Sequence, residues 1–124
     1  MKSGFFARLL DRSRRDAARW IEPADLERRL AAGERVLLLD VRGADEFAGP
    51  LGHIDGAVNL PLPELPAHLG ALAGDRRSIV AICLTDKRSA RAAADLRAAG
   101  HHDVAVLRGG MDRWRREAIG GPAD

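Results

Sequence analysis

Four short apolar runs, separated by segments with helical spacing, constrain this chain more than any other feature of it. They cover residues 36–41, 57–60, 79–83 and 104–107, and none of them alternates apolar with polar residues. A strand with one wet face alternates, because successive side chains point to opposite sides; a continuous run marks a strand buried on both faces. Helix signals fill the gaps. Pro23 stands at a first-turn position ahead of Leu26 and Leu30, and a short turn follows at Asp45, Glu46 and Phe47. Further on come an apolar stretch over 65–72, an alanine-rich segment over 89–99 stopped by Gly100, and a last helix over 111–117. The proline-rich stretch 61–66 reads as a turn leading into a helix. Strands and helices in alternation predict an α/β fold, with a central parallel sheet and helices on both faces.

The 124 residues suffice for one hydrophobic core and are too few for two, which excludes a multi-domain enzyme. No apolar run approaches the roughly 20 residues that cross a bilayer, so no membrane span is expected. The single cysteine forms no internal disulfide, which fits a reducing compartment and a cytoplasmic protein. The net charge of +2 hides an uneven distribution: residues 1–20 hold six basic and two acidic residues, against 14 basic and 16 acidic in the remainder. Nucleic acid is not an expected partner, because the basic segment lacks the interleaved aromatics that stack on bases.

Residues 1–19 read as a basic amphipathic helix, with Phe6, Leu10, Ala17 and Trp20 near one face and Arg8, Arg12, Arg15 and Arg19 on the other. Such a helix either packs on its own domain or docks on a protein partner or a membrane surface. It is not a secretory signal, since Arg8 interrupts its apolar stretch. Residues 121–124 read as a short tail.

In a parallel α/β sheet, ligands bind beyond the carboxyl ends of the strands, where loops lead into helix N-termini. Cys83 closes the run 79–83, and five residues separate it from Ser89, where the next helix is expected. So short a loop must curl and turn several backbone N–H groups inward, which makes an anion cradle. Those N–H groups, the helix dipole and the charges of Lys87 and Arg88 favour a thiolate on Cys83 at neutral pH.

The loop Cys83-Leu84-Thr85-Asp86-Lys87-Arg88-Ser89 resembles the active-site loop of rhodanese-like sulfurtransferases. Two upstream blocks are similar to that family as well: Leu39-Asp40-Val41-Arg42 with Glu46-Phe47, and Gly52-His53-Ile54-Asp55-Gly56-Ala57-Val58-Asn59-Leu60-Pro61. A third, Val106-Leu107-Arg108-Gly109-Gly110-Met111 with Trp114, matches its end, so the resemblance covers residues 20–120 in order. It implies a rhodanese-like three-layer fold. It also implies that Cys83 accepts a sulfane sulfur from a small donor, thiosulfate or a persulfide, and passes it to a thiol or to cyanide. The loop Leu84, Thr85, Asp86, Lys87, Arg88 and Ser89 would hold the substrate, with Asp40 and Arg42 as supporting residues. No metal or organic cofactor is implied.

Cysteine-dependent phosphatases and arsenate reductases need an arginine six positions after the cysteine; here that position is Ser89, and Arg88 stands at five. The tighter loop suits a sulfur atom better than a phosphate tetrahedron. Leu84 replaces an arginine often found in thiosulfate-using members and Asp86 a common glycine, and an acid in an anion cradle works against thiosulfate. Those two residues also allow an alternative, a catalytically weak module that uses the fold for binding or regulation. A redox sensor forming mixed disulfides through Cys83 is a third possibility. Asp40 and Arg42 are expected to pair, and His53 to be structural. His101, His102 and Asp103 should form a solvated turn rather than a metal site, since adjacent side chains rarely share one coordination sphere. Gly109 and Gly110 mark a tight backbone passage beside the Cys83 loop, and Trp114 belongs to the core.

Overall fold

The computed structural model describes residues 19–117 and 119. Five strands, β1 (Trp20–Ile21), β2 (Val36–Asp40), β3 (Val58–Asn59), β4 (Ser78–Ile82) and β5 (Val104–Leu107), form one sheet in the order β1-β5-β4-β2-β3. Every pairing is parallel. The helices are α1 (Pro23–Ala31), α2 (Ala44–Phe47), α3 (Leu69–Ala73), α4 (Lys87–Ala98) and α5 (Gly110–Arg116), with a 3-10 helix over Leu62–His68 ahead of α3.

Three of the four continuous apolar runs do what their pattern predicts. The run over 57–60 does not: it gives only the two-residue edge strand β3 with Val58 49% exposed, because an edge position leaves that side chain no helix to pack against. Successive residues of β2 and β4 enter opposite cores: Leu37 and Leu39 with Ile79 and Ala81 on one side, Leu38 with Val80 and Ile82 on the other. The first core is closed by Ala92, Ala93 and Leu96 of α4, with Leu65 from the 3-10 helix. The second is closed by Leu26 of α1 and by Met111 and Trp114 of α5. Helices therefore cover both faces, giving three layers.

Several local expectations shift. β1 has only two residues, too few to show a period, and it takes up Trp20, which the sequence suggested as part of a helical face. The Arg19 carbonyl accepts the Val106 N–H at 2.8 Å, so the chain is extended there and joins the sheet edge. The rest of the expected N-terminal helix and the 121–124 tail lie outside the described residues. Pro63 and Pro66 cannot donate to a helical ladder, and the predicted helix over 65–72 becomes a 3-10 segment followed by the five residues of α3. Helix α4 starts at Lys87 rather than near Ser89, with Asp86 as N-cap. The expected solvated turn at 101–103 is only partly so. His101 is 5% exposed, and its Nε2–H donates to the Arg77 carbonyl at 3.0 Å.

The topology fixes where a site can lie. From β2 the chain moves outward to β3 on one side, whereas β4 and β5 follow on the other. The direction of winding reverses between β2 and β4, and that reversal opens a crevice at their carboxyl ends. Asp40 lies opposite Ile82, and the Val41 N–H donates to the Ile82 carbonyl at 2.8 Å, which brings Arg42 and Cys83 out at the same end.

Two contacts organise that end. Arg42 is 1% exposed, and its guanidinium grips the equally buried Asp40 carboxylate, with Nη2 to Oδ2 at 2.8 Å and Nε to Oδ1 at 3.0 Å. The same guanidinium donates to the carbonyls of Glu46 at 3.2 Å and Gly52 at 2.8 Å, tying α2 and the following turn to the end of β2. Asn59 of β3 closes the cluster by donating to the carbonyls of Asp40 at 3.1 Å and Arg42 at 2.9 Å. The second contact is the start of α5. The Met111 and Asp112 N–H groups donate to the carbonyls of Cys83 at 2.9 Å and Leu84 at 3.0 Å. Gly110 allows this approach: a Cβ there would lie 2.3 Å from the carbonyl oxygens of Cys83 and Thr85 and 2.6 Å from that of Leu84.

Both contacts are testable by stability. Arg42→Ala strands a buried carboxylate and should cost about 3–5 kcal/mol of unfolding free energy in urea titrations. Gly110→Ala combines a positive φ of 56° with overlap on three backbone oxygens. It should cost roughly 2–4 kcal/mol and lower the melting temperature accordingly. A variant within a few tenths of a kcal/mol of the parent in either case would show that the corresponding contact is dispensable.

Candidate active site

The peptide bonds between β4 and α4 decide what the loop can do. All are trans, so each N–H points opposite to the preceding carbonyl. With the carbonyls of Cys83 and Leu84 turned onto the α5 N-terminus, the N–H groups of Leu84 and Thr85 point away from it. Among the described residues nothing accepts a hydrogen bond from either of them. The first N–H groups of α4 have no intrahelical acceptor by helix geometry. Asp86, although an N-cap of a favoured type, makes no side-chain cap bond to them. The result is a curl of donors at the positive end of a 12-residue helix dipole.

Cys83 begins this curl. It is 1% exposed and its Sγ lies 3.2 Å from the Oγ of Ser89, itself fully buried on the first turn of α4. The hydroxyl can donate to a thiolate or accept from a thiol, so it can follow the sulfur through a change of state. Leu84 is 38% exposed, the largest apolar side chain at the loop surface, and Thr85 and Lys87 are also exposed.

Arg88 does not face the loop unaccompanied. Its Nη1 and Nη2 donate to Oε1 and Oε2 of Glu46 at 2.7 and 2.9 Å, the two-pronged geometry that suits guanidinium and carboxylate. Glu46 Oε1 also accepts the Gly43 N–H at 3.1 Å. The Arg88 hydrogen bonds, helped by Gly43 and opposed by partial burial, hold the Glu46 carboxyl down at about 2 against an ordinary 4.5. Since its folded value is the lower one, the pair adds stability above pH 4.5 and loses it as pH falls towards 2. Glu46 is thus an anion at neutral pH. In the sequence it stood out only as a member of a motif. Its partner lies 42 positions away, a pairing that no local spacing reveals.

The remaining expected residues fall as follows. Asp40 and Arg42 form the buried pair described above, beneath the crevice and with their polar atoms spent on each other and on backbone. His53 stacks on Phe47, with ring centres 3.6 Å apart, and its Nδ1–H donates to the Phe47 carbonyl at 2.9 Å, a structural role. Trp114 is 2% exposed in the core. Among the described residues no three His, Cys, Asp or Glu side chains gather where a metal ion would sit. No described helix is long and apolar enough to cross a membrane.

Comparison with known proteins places this geometry. The family model for the rhodanese-like domain matches residues 22–117. A sulfurtransferase of Allochromatium vinosum is 36% identical over 99 residues, which are 80% of this chain and 90% of that protein. The HTH-type transcriptional regulator Rv0324 of Mycobacterium tuberculosis is 41% identical over 99 residues, but these make up only 41% of its length. The crystal structure of a rhodanese-related protein from Thermoplasma volcanium superposes with a TM-score of 0.70 at 31% identity, covering 84% of this chain and 95% of that one. An α/β sheet with the same order of blocks, a cysteine curl at its switch point and a family match over most of the chain lead to one conclusion: the chain belongs to the rhodanese-like domain family.

Proposed function

We propose that this protein is a sulfurtransferase or persulfide carrier that moves a sulfane sulfur through a persulfide on Cys83, within a domain of residues 20–120. The observation that carries the reading is the orientation of the loop. Its carbonyls are bonded to α5, so unpaired N–H groups and the α4 dipole are left on the opposite side. Such a cradle stabilises a thiolate and the negative sulfur of a persulfide in the same way that an oxyanion hole stabilises developing charge.

In the first step the Cys83 thiolate attacks the outer sulfur of the donor. The sulfur–sulfur bond of the donor breaks, and its electron pair leaves on sulfite from thiosulfate or on a thiolate from a persulfide. The new bond joins Cys83 Sγ to the transferred sulfur, and no external oxidant or reductant is consumed. In the second step an acceptor, a thiolate or cyanide, attacks that outer sulfur, and the electron pair of the breaking bond returns to Cys83. Ser89 Oγ, 3.2 Å from Cys83 Sγ, donates a hydrogen bond to that sulfur whenever it is a thiolate. Leu84, Thr85, Asp86 and Lys87 form the surface over which the donor enters, while Arg88 stands at its edge. The lone cysteine suits a cytoplasmic location. The basic amphipathic pattern of residues 1–19 suits packing on its own domain or docking on a protein partner or a membrane surface.

Intact mass after incubation with a donor tests the reading directly. The chain should gain about 32 Da, one sulfur atom, reversible by a thiol reductant. Cys83→Ser should gain nothing while keeping its melting temperature; sulfur uptake by that variant, or none by the parent from thiosulfate or cysteine persulfide, would overturn it. Asp86 adds a negative charge to the cradle, so Asp86→Gly should lower the KM for thiosulfate several-fold. An unchanged or higher KM would remove Asp86 from the account of donor choice.

A further inference from the structure

The loop that surrounds Cys83 carries two cations, Lys87 and Arg88, and one anion, Asp86. By sequence it is therefore a positive site. Glu46 changes that balance from outside the loop, because both of its carboxylate oxygens are bonded to Arg88. With Glu46 counted, the four side chains sum to zero, and the remaining attraction for an anion comes from backbone N–H groups and the helix dipole alone.

Glu46 is held at two points, although its side chain is 37% exposed. Its backbone carbonyl is held by Arg42 at 3.2 Å, and its Oε1 by the Gly43 N–H at 3.1 Å. Arg42 is itself locked in the buried pair with Asp40. An exposed ion pair on two free side chains would open readily in water. Here one partner is anchored to buried structure, and the geometry is two-pronged. Arg88 is drawn toward α2 by this pair.

We propose, on the sulfurtransferase reading above, that Glu46 is a specificity-determining positioning residue. By holding Arg88 in a closed ion pair it keeps the cradle over Cys83 without net side-chain charge, which selects donors of low charge such as persulfides over the thiosulfate dianion. A dianion placed in the cradle meets Glu46 and Asp86 as well as the two cations, and the side-chain terms cancel. A persulfide on a zwitterionic carrier loses nothing by that cancellation. Leu84, 38% exposed at the loop surface, offers no hydrogen bond to a small, strongly hydrated oxyanion.

Glu46→Gln removes the negative charge and one prong of the pair: the amide oxygen can still accept from Gly43 and Arg88 Nη1, whereas the amide NH2 cannot accept from Arg88 Nη2. Thiosulfate binding is measured by calorimetry on Cys83→Ser and on Cys83→Ser with Glu46→Gln, so that no chemistry intervenes. The second variant should bind thiosulfate about tenfold more tightly at low ionic strength, with the gain lost in salt. In the Cys83-containing proteins, Glu46→Gln should lower the KM for thiosulfate and leave that for cysteine persulfide within twofold. Unchanged or weaker thiosulfate binding, with the melting temperature kept, would overturn the proposal. So would a KM that falls equally for both donors. If binding tightens but Cys83 takes sulfur from neither donor, the sulfurtransferase reading and the donor selection fail together, leaving Glu46 only the control of charge at the loop.

Discussion

The buried Arg42 guanidinium is the interaction on which the ligand end of this molecule depends. One side chain meets the carboxylate of Asp40, the carbonyl of Glu46 and the carbonyl of Gly52, and so joins the end of β2 to α2 and to the turn that leads into β3. Removing both ions from water costs several kcal/mol each, and the return comes only when every donor is used. That demand makes the cluster all-or-none: α2 cannot drift without leaving a buried N–H unpaired. A rigid α2 holds Glu46, and Glu46 holds Arg88 on the far side of the crevice.

The Cys83 loop is held from the other side by a different device. A helix N-terminus ordinarily has N–H groups to give away, and the start of α5 gives two of them to the carbonyls of Cys83 and Leu84. The carbonyls are thereby consumed, the amide edge is turned the opposite way, and the α4 dipole is left to a ligand. Two helix N-termini thus act on one loop, α5 on its carbonyls and α4 on its donors. Gly110 makes the approach possible, since no side chain fits between the α5 backbone and the loop oxygens.

Much of the fold is legible in the sequence. The runs at β2, β4 and β5 are continuous because those strands are buried on both faces, and their pattern predicted the strands within a residue or two. Helix α4, rich in alanine and stopped by Gly100, was equally plain apart from its first turn. Strand β1 was not. Its two residues hydrogen-bond to β5 across 86 positions of sequence, and Trp20 has no local reason to be extended. The sequence places His101 in a solvated turn with His102 and Asp103, yet it is buried, because the Arg77 carbonyl just ahead of β4 offers it a partner. In both cases the deciding contact is distant in sequence, and propensity and spacing carry no information about it.

The candidate site divides in the same way. Cys83 at the end of an apolar run, the short passage to a helix, and the glycine pair at 109 and 110 follow from chain order, because a parallel sheet sends every strand end to the same rim. The sequence alone therefore determined the fold class, the address of the thiol and the tightness of its loop. What the tertiary structure decided is the charge that surrounds the sulfur. Arg88 reads as a free cation in the loop, and only the packing of α2 against the end of β2 supplies Glu46 to neutralise it. Coulomb interactions depend on separation in space, and a contact 42 residues apart along the chain exists only once the sheet has brought its two ends together.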